Sequence, residues 1–132
     1  MMIILDTYIE DIKHDLIIND FNIKEVQLRL PSRKHFWVAR LIDAKIKRNS
    51  LLRDKKNLKK DISKRIVELS PIKMTSVAAE IAAESSKEVE EINDQIKEYD
   101  YIIEYLEKVE KIFASMHWEI RNIIQINQSE QA

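Results

Sequence analysis

Across 132 residues the chain contains no glycine and only two prolines, Pro31 and Pro71. Glycine reaches left-handed backbone without steric cost, and tight hairpins, phosphate-cradling loops and nucleophile elbows depend on it. A chain lacking it is restricted to long helices joined by few turns. The hydrophobic pattern agrees. From Ser85 to Ile126, Val89, Ile92, Ile96, Tyr99, Ile103, Leu106, Val109, Phe113, Met116, Ile120 and Ile123 recur every three or four residues. Ile102, Ile112 and Ile124 widen the stripe. This is one apolar face of a helix, and it calls for another helix along it, from this chain or from a second copy.

The reading is all-α: an elongated antiparallel helical hairpin, coiled-coil-like, with a small N-terminal helical segment (1–30), assembling into a homo-oligomer. Residues 31–132 form the hairpin: a basic helix 32–69, a short helix 76–84 and a long C-terminal helix 86–126. In the lead, Tyr8, Ile9, Ile12, Leu16 and Ile17 predict a helix over Asp6–Ile18 with Asp6 as N-cap. Asn19-Asp20-Phe21-Asn22 has the composition of a turn. Residues 23–30 mix two periods and read as loop or short helix. Pro31-Ser32 has the form of a helix opening. Thr75 or Ser76 is placed to cap the short Ala-rich helix, and Ser85-Ser86-Lys87-Glu88 fits a capping box. Sequence leaves open whether 76–126 is one kinked rod or two helices. The polar tail after Ile126 is expected to fray.

Charge is segregated. The whole chain carries −1, but residues 29–65 hold fourteen bases against three acids, and residues 80–110 hold eleven acids against three bases. An antiparallel hairpin reversing near Pro71 sets Lys55 opposite 86–89, Lys59 opposite Ala83 and Arg48 opposite Asp94, which matches part of that charge internally. The stretch Lys55–Arg65 still has six bases to one acid, while residues 76–86 offer only Glu80 and Glu84. A surplus of cations is expected there: Arg48, Arg53, Lys55, Lys56, Lys59, Lys60, Lys64 and Arg65. Such groups displace counterions from phosphates without reading bases.

Other classes have less to stand on. His14, His35 and His117 are isolated, no HExxH or glycine-rich loop occurs, and no cysteine is present. No catalytic residue, metal or cofactor is expected, and the chain reads as a non-enzyme. No apolar run approaches the roughly 20 residues of a membrane span. The start at Met1-Met2-Ile3 lacks a basic lead and long apolar core, so a cytoplasmic protein without a membrane partner is expected.

Two stretches carry a family resemblance. YIIEYLEKVEKI from Tyr101 to Ile112, followed by Ser115-Met116-His117-Trp118-Glu119-Ile120-Arg121-Asn122-Ile123-Ile124, resembles the C-terminal region of the UvsY family of phage recombination mediators. His35-Phe36-Trp37 through Lys45-Ile46-Lys47 is similar to that family's aromatic residue followed by a Lys-rich helix. The resemblance implies a ring-like homo-oligomer, a hexamer or heptamer, that binds single-stranded DNA. It implies as partners a phage recombinase and a single-strand DNA-binding protein, in the host cytoplasm. It sets the family's basic motif at Leu58-Lys59-Lys60 with Lys64-Arg65. The motif's second basic position falls on Asp61 or Ile62, and Leu69-Ser70-Pro71 replaces an aromatic-glycine turn, so a patch is assigned and not a residue pair. By the same resemblance Ile112, Met116, Trp118, Ile120, Ile123 and Ile124 form the subunit interface. The competing reading is a structural coiled-coil oligomerisation module that binds no nucleic acid.

Overall fold

The computed structural model describes residues 3–19 and 21–131, and among these every regular element is helical: α1 (Ile3–Asp15), α2 (Ile23–Leu69), α3 (Ser76–Glu84) and α4 (Lys87–Gln131). Met1, Met2, Asp20 and Ala132 lie outside the described residues, and with them the first two positions of the chain start and one position of the expected 19–22 turn. The chain is all-α, in keeping with its glycine-free composition.

Several boundaries differ from expectation. α1 begins earlier and ends at Asp15, so Asp6 sits in its first turn instead of capping it. α2 does not open at Pro31. It starts at Ile23 and runs through the proline, so the division at 30/31 falls inside a helix. Val26 and Leu30 are buried on the core side, and that burial carries the helix across the break. Pro31 removes one amide, but Pro31 and Gln27 are both exposed, where water can satisfy the freed carbonyl, and the Ser32 hydroxyl donates to Arg29 O at 3.0 Å. The turn before α2 is held by asparagine side chains. Asn19 Oδ1 accepts from the amides of Phe21 and Asn22, while Asn22 Oδ1 accepts from Asn19 N at 2.8 Å.

α3 falls where the sequence set it, with Thr75 as N-cap accepting from Ala78 N at 3.2 Å. The stretch 76–126 is thus two helices, α3 and α4, and not one kinked rod. Ser86, not Ser85, caps α4: its hydroxyl donates to Ala83 O and accepts from Val89 N, so Glu88 falls one residue short of the capping-box position. At its far end α4 continues to Gln131 in place of a frayed tail, because no breaker follows Ile126 and Asn127 still turns half-inward.

The chain divides into two compact units. One comprises residues up to Asp43 and from Tyr101 on; the other is Ala44–Asp100. The first is built on Ile12, Val26, Leu30, Trp37, Leu41, Ile102, Leu106, Val109, Phe113, Met116 and Ile120, all buried. Tyr8 and Phe36 meet the Trp37 ring edge-on, at 5.5 and 5.0 Å between centroids. Asp15, at the end of α1, is buried because two donors come to it: Trp37 Nε1 and Arg33 Nε each donate to Oδ2 at 2.9 Å. A buried carboxylate requires such partners.

The second unit has a smaller core of Ile62, Ala83 and Val89, with Leu58 and Ile66 packed on it. Arg48 is paired with Asp100 while Ile62 packs with Val89, so α2 and α4 run antiparallel here. Arg48 therefore meets Asp100 and not Asp94. The break at Ser85–Ser86 uses up residues without a full helical rise, which shifts the register beyond it. α3 turns its small residues Ala79 and Ala83 inward and leaves Val77 and Ile81 exposed on the opposite side.

Candidate nucleic-acid interface

The α2 segment of the second unit sorts the eight expected cations into three groups. At about 100° per residue, Arg53, Lys56, Lys60 and Lys64 fall on one stripe, directly away from Ile62. All four are exposed, and none has a salt-bridge partner among the described residues. Successive members at i, i+4 stand about 6 Å apart along the axis, and the stripe spans about 16 Å. Along one edge runs an acidic row, Asp54, Asp61 and Glu68, also exposed. Arg65 lies beyond that row, exposed and apart from the stripe.

The third group is matched inside the chain. Lys55 and Lys59 both reach Glu84, at 3.3 and 3.1 Å, and Arg48 is paired with Asp100. Lys59 and then Lys55 hold the Glu84 carboxyl below its ordinary value. These three cations secure α3 and α4 to α2, so they are the part of the expected patch absorbed by structure. The sequence offered Glu80 and Glu84 without choosing between them, and it is Glu84 that meets Lys55 and Lys59.

Of the aromatic rings beside the basic region His35 is exposed, while Trp37 and Phe36 offer no free ring to a nucleobase. Trp37 is 2% exposed, and Phe36 lies between two guanidinium groups, Arg33 at 4.4 Å and Arg40 at 4.1 Å from its centroid.

The six residues expected at a subunit interface are separated by the turn of α4. Met116 and Ile120 are 2% exposed within the first unit and are core residues, not free interface residues. They share the helical face of Val109 and Phe113, and Ile120 lies beside Leu30 and Pro31, which is why the chain's own helices claim them. Ile112 (exposed) and Ile123 (half-buried) share one flank. Ile124 lies on the other, lining a groove of about 560 Å³ with Leu30, Pro31, Ile120, His117 and Arg121. Trp118 points away from the core and is 60% exposed. Arg121, which the sequence reading did not single out, places its guanidinium 5.6 Å from the Trp118 ring, and the His117 ring meets it edge-on at 5.9 Å. The i, i+3 spacing of Trp118 and Arg121 was the available signal.

Among the described residues no group of three His, Cys, Asp or Glu side chains is placed to hold a metal ion, and no helix is long and apolar enough to cross a membrane. Comparison with known protein families, curated proteins and solved structures gives no match.

Proposed function

We propose that the chain binds single-stranded DNA through the Arg53–Lys56–Lys60–Lys64 stripe and acts as a recombination mediator. In this role an assembled ring presents several stripes to one strand and helps a phage recombinase load where a single-strand DNA-binding protein is bound. The observation that carries the reading is the stripe: four exposed cations in line, with the helix's own acids displaced to one edge. The resemblance to the UvsY family supplies the biological setting.

About four phosphate contacts on one copy correspond to a log–log salt slope near −3, or about a 50-fold loss of affinity between 50 and 200 mM salt. One copy is thus a weak binder at physiological salt. Several copies acting on the same strand make the later contacts intramolecular and the whole avid. Self-association is favoured by apolar surface left uncovered, namely Ile112 and Ile123 on one flank of α4 and Leu69, Ile72, Val77 and Ile81 around α3.

Replacing Arg53, Lys56, Lys60 and Lys64 together with glutamine tests the reading. The variant is expected to keep its oligomeric mass by light scattering and to lose salt-sensitive affinity for an oligothymidylate. Unaltered affinity would remove the stripe from consideration. The structural-module reading draws on a different observation, the pairing of Arg48, Lys55 and Lys59 with acids of the same chain. It requires a discrete dimer or tetramer with no salt-sensitive DNA affinity.

A further inference from the structure

We propose that Trp118, together with Arg121, is a stacking platform for an unpaired nucleobase. The inference rests on the single-stranded DNA reading and adds a contact that phosphate neutralisation does not supply. Binding of single strands combines cations with exposed π-faces on which bases stack, and guanidinium groups add to it. The two large rings beside the basic stretch are engaged: Trp37 is buried on Asp15, and Phe36 carries Arg33 and Arg40 against it, leaving only the smaller His35 exposed.

Trp118 has what those rings lack. It projects from the side of α4 opposite Met116 and Ile120, is 60% exposed, and carries the Arg121 guanidinium at 5.6 Å. His117 meets the ring at an interplanar angle of 75° and is not stacked parallel on it, and the indole keeps most of its surface exposed. The surrounding face is mixed and mostly polar: Ala114 and Ser115 one turn before, Lys111 two turns before, Asn122 one turn after and Gln125 beyond, all exposed. An indole meant for a subunit contact would be expected beside Ile112 and Ile123, but it stands roughly 120° around the helix from them. Phe21 is exposed as well, yet it has no cation against its ring among the described contacts.

The chain's two tryptophans make the test direct. Trp37 is sealed in the core, so a change of emission on adding a strand reports on Trp118. Oligothymidylate and inorganic polyphosphate are titrated separately into the full chain, with binding followed independently by anisotropy of a labelled oligothymidylate and its displacement by polyphosphate. Oligothymidylate is expected to quench emission in step with binding, and polyphosphate to bind without quenching. Trp118→Ala is expected to weaken oligothymidylate binding by about 5- to 150-fold, the range for loss of one stacked base, while Trp118→Phe retains most of it. Binding by anisotropy with unaltered emission and an unaffected Trp118→Ala variant would overturn the platform and leave the stripe standing. Absence of binding by anisotropy would overturn both. Emission that follows protein concentration without DNA would mean the ring is covered by a second copy, and the platform falls.

Discussion

The two units use the same two long helices for opposite purposes. In the first, α2 and α4 enclose large side chains, and a buried carboxylate, Asp15, is held by an arginine and an indole. In the second the core is narrow, alanine takes the place of larger residues on α3, and ion pairs tie the helices at the rim. Charged groups at an exposed rim contribute little to stability, whereas burial of aromatic and aliphatic surface contributes much. The difference teaches that the first unit supplies cohesion and the second is free to display charge.

The largest test of that contrast is Phe113→Ala, which should lower stability by about 3–5 kcal/mol in urea unfolding. A loss no larger than that of an exposed substitution would erase the contrast. Asp15→Ala strands the Trp37 N–H and the Arg33 guanidinium, and a cost of about 1–3 kcal/mol is expected from the same measurement. Asp15→Asn, which retains an acceptor for Trp37, should cost less. In the second unit, Thr75→Ala removes the α3 cap and should cost about 1 kcal/mol.

A pH titration of stability resolves a smaller effect. Glu84 has a lowered folded value, so the folded state binds fewer protons than the unfolded chain near that pH. Its contribution is in place above the ordinary carboxylate value and is lost as pH falls through the depressed one. Glu84→Gln should flatten that part of the acid limb. Smallest of all, glutamine at Arg53, Lys56, Lys60 and Lys64 should leave stability within about 0.5 kcal/mol, while under the proposed function the same change removes the strand affinity.

Legibility in the sequence followed the range of the interaction. Local signals were sufficient for the span of α3, where an alanine run follows two candidate caps, Thr75 and Ser76, of which Thr75 is the one used. They misled at Pro31, because a local proline rule competed with burial of Val26 and Leu30, which depends on residues distant in sequence. The stripe of α4 was plain from its period, but period alone does not say how much of a wide stripe the chain's own helices cover. Met116 and Ile120 turned inward for that reason. The surplus of cations was countable from composition, whereas the division between Lys59, held by Glu84, and Lys60, left outside, needed the neighbouring helix. Register shifted at Arg48 because the Ser85–Ser86 break has no length that a residue count can foresee.

The connections between helices contain no described residue at positive φ, and side chains do the work that glycine does elsewhere. Asn19 and Asn22 bond across one reversal. Ser70 Oγ donates to Ile72 O and accepts from Ile72 N in another, and Ser86 bonds to Ala83 and Val89 in the third. A denatured chain without glycine samples fewer backbone conformations, so less disorder has to be surrendered at each bend when the molecule forms. The bends are therefore governed by a few amide and hydroxyl groups, and exchanging any of them for glycine would both delete a bond and widen the ensemble competing with the native state.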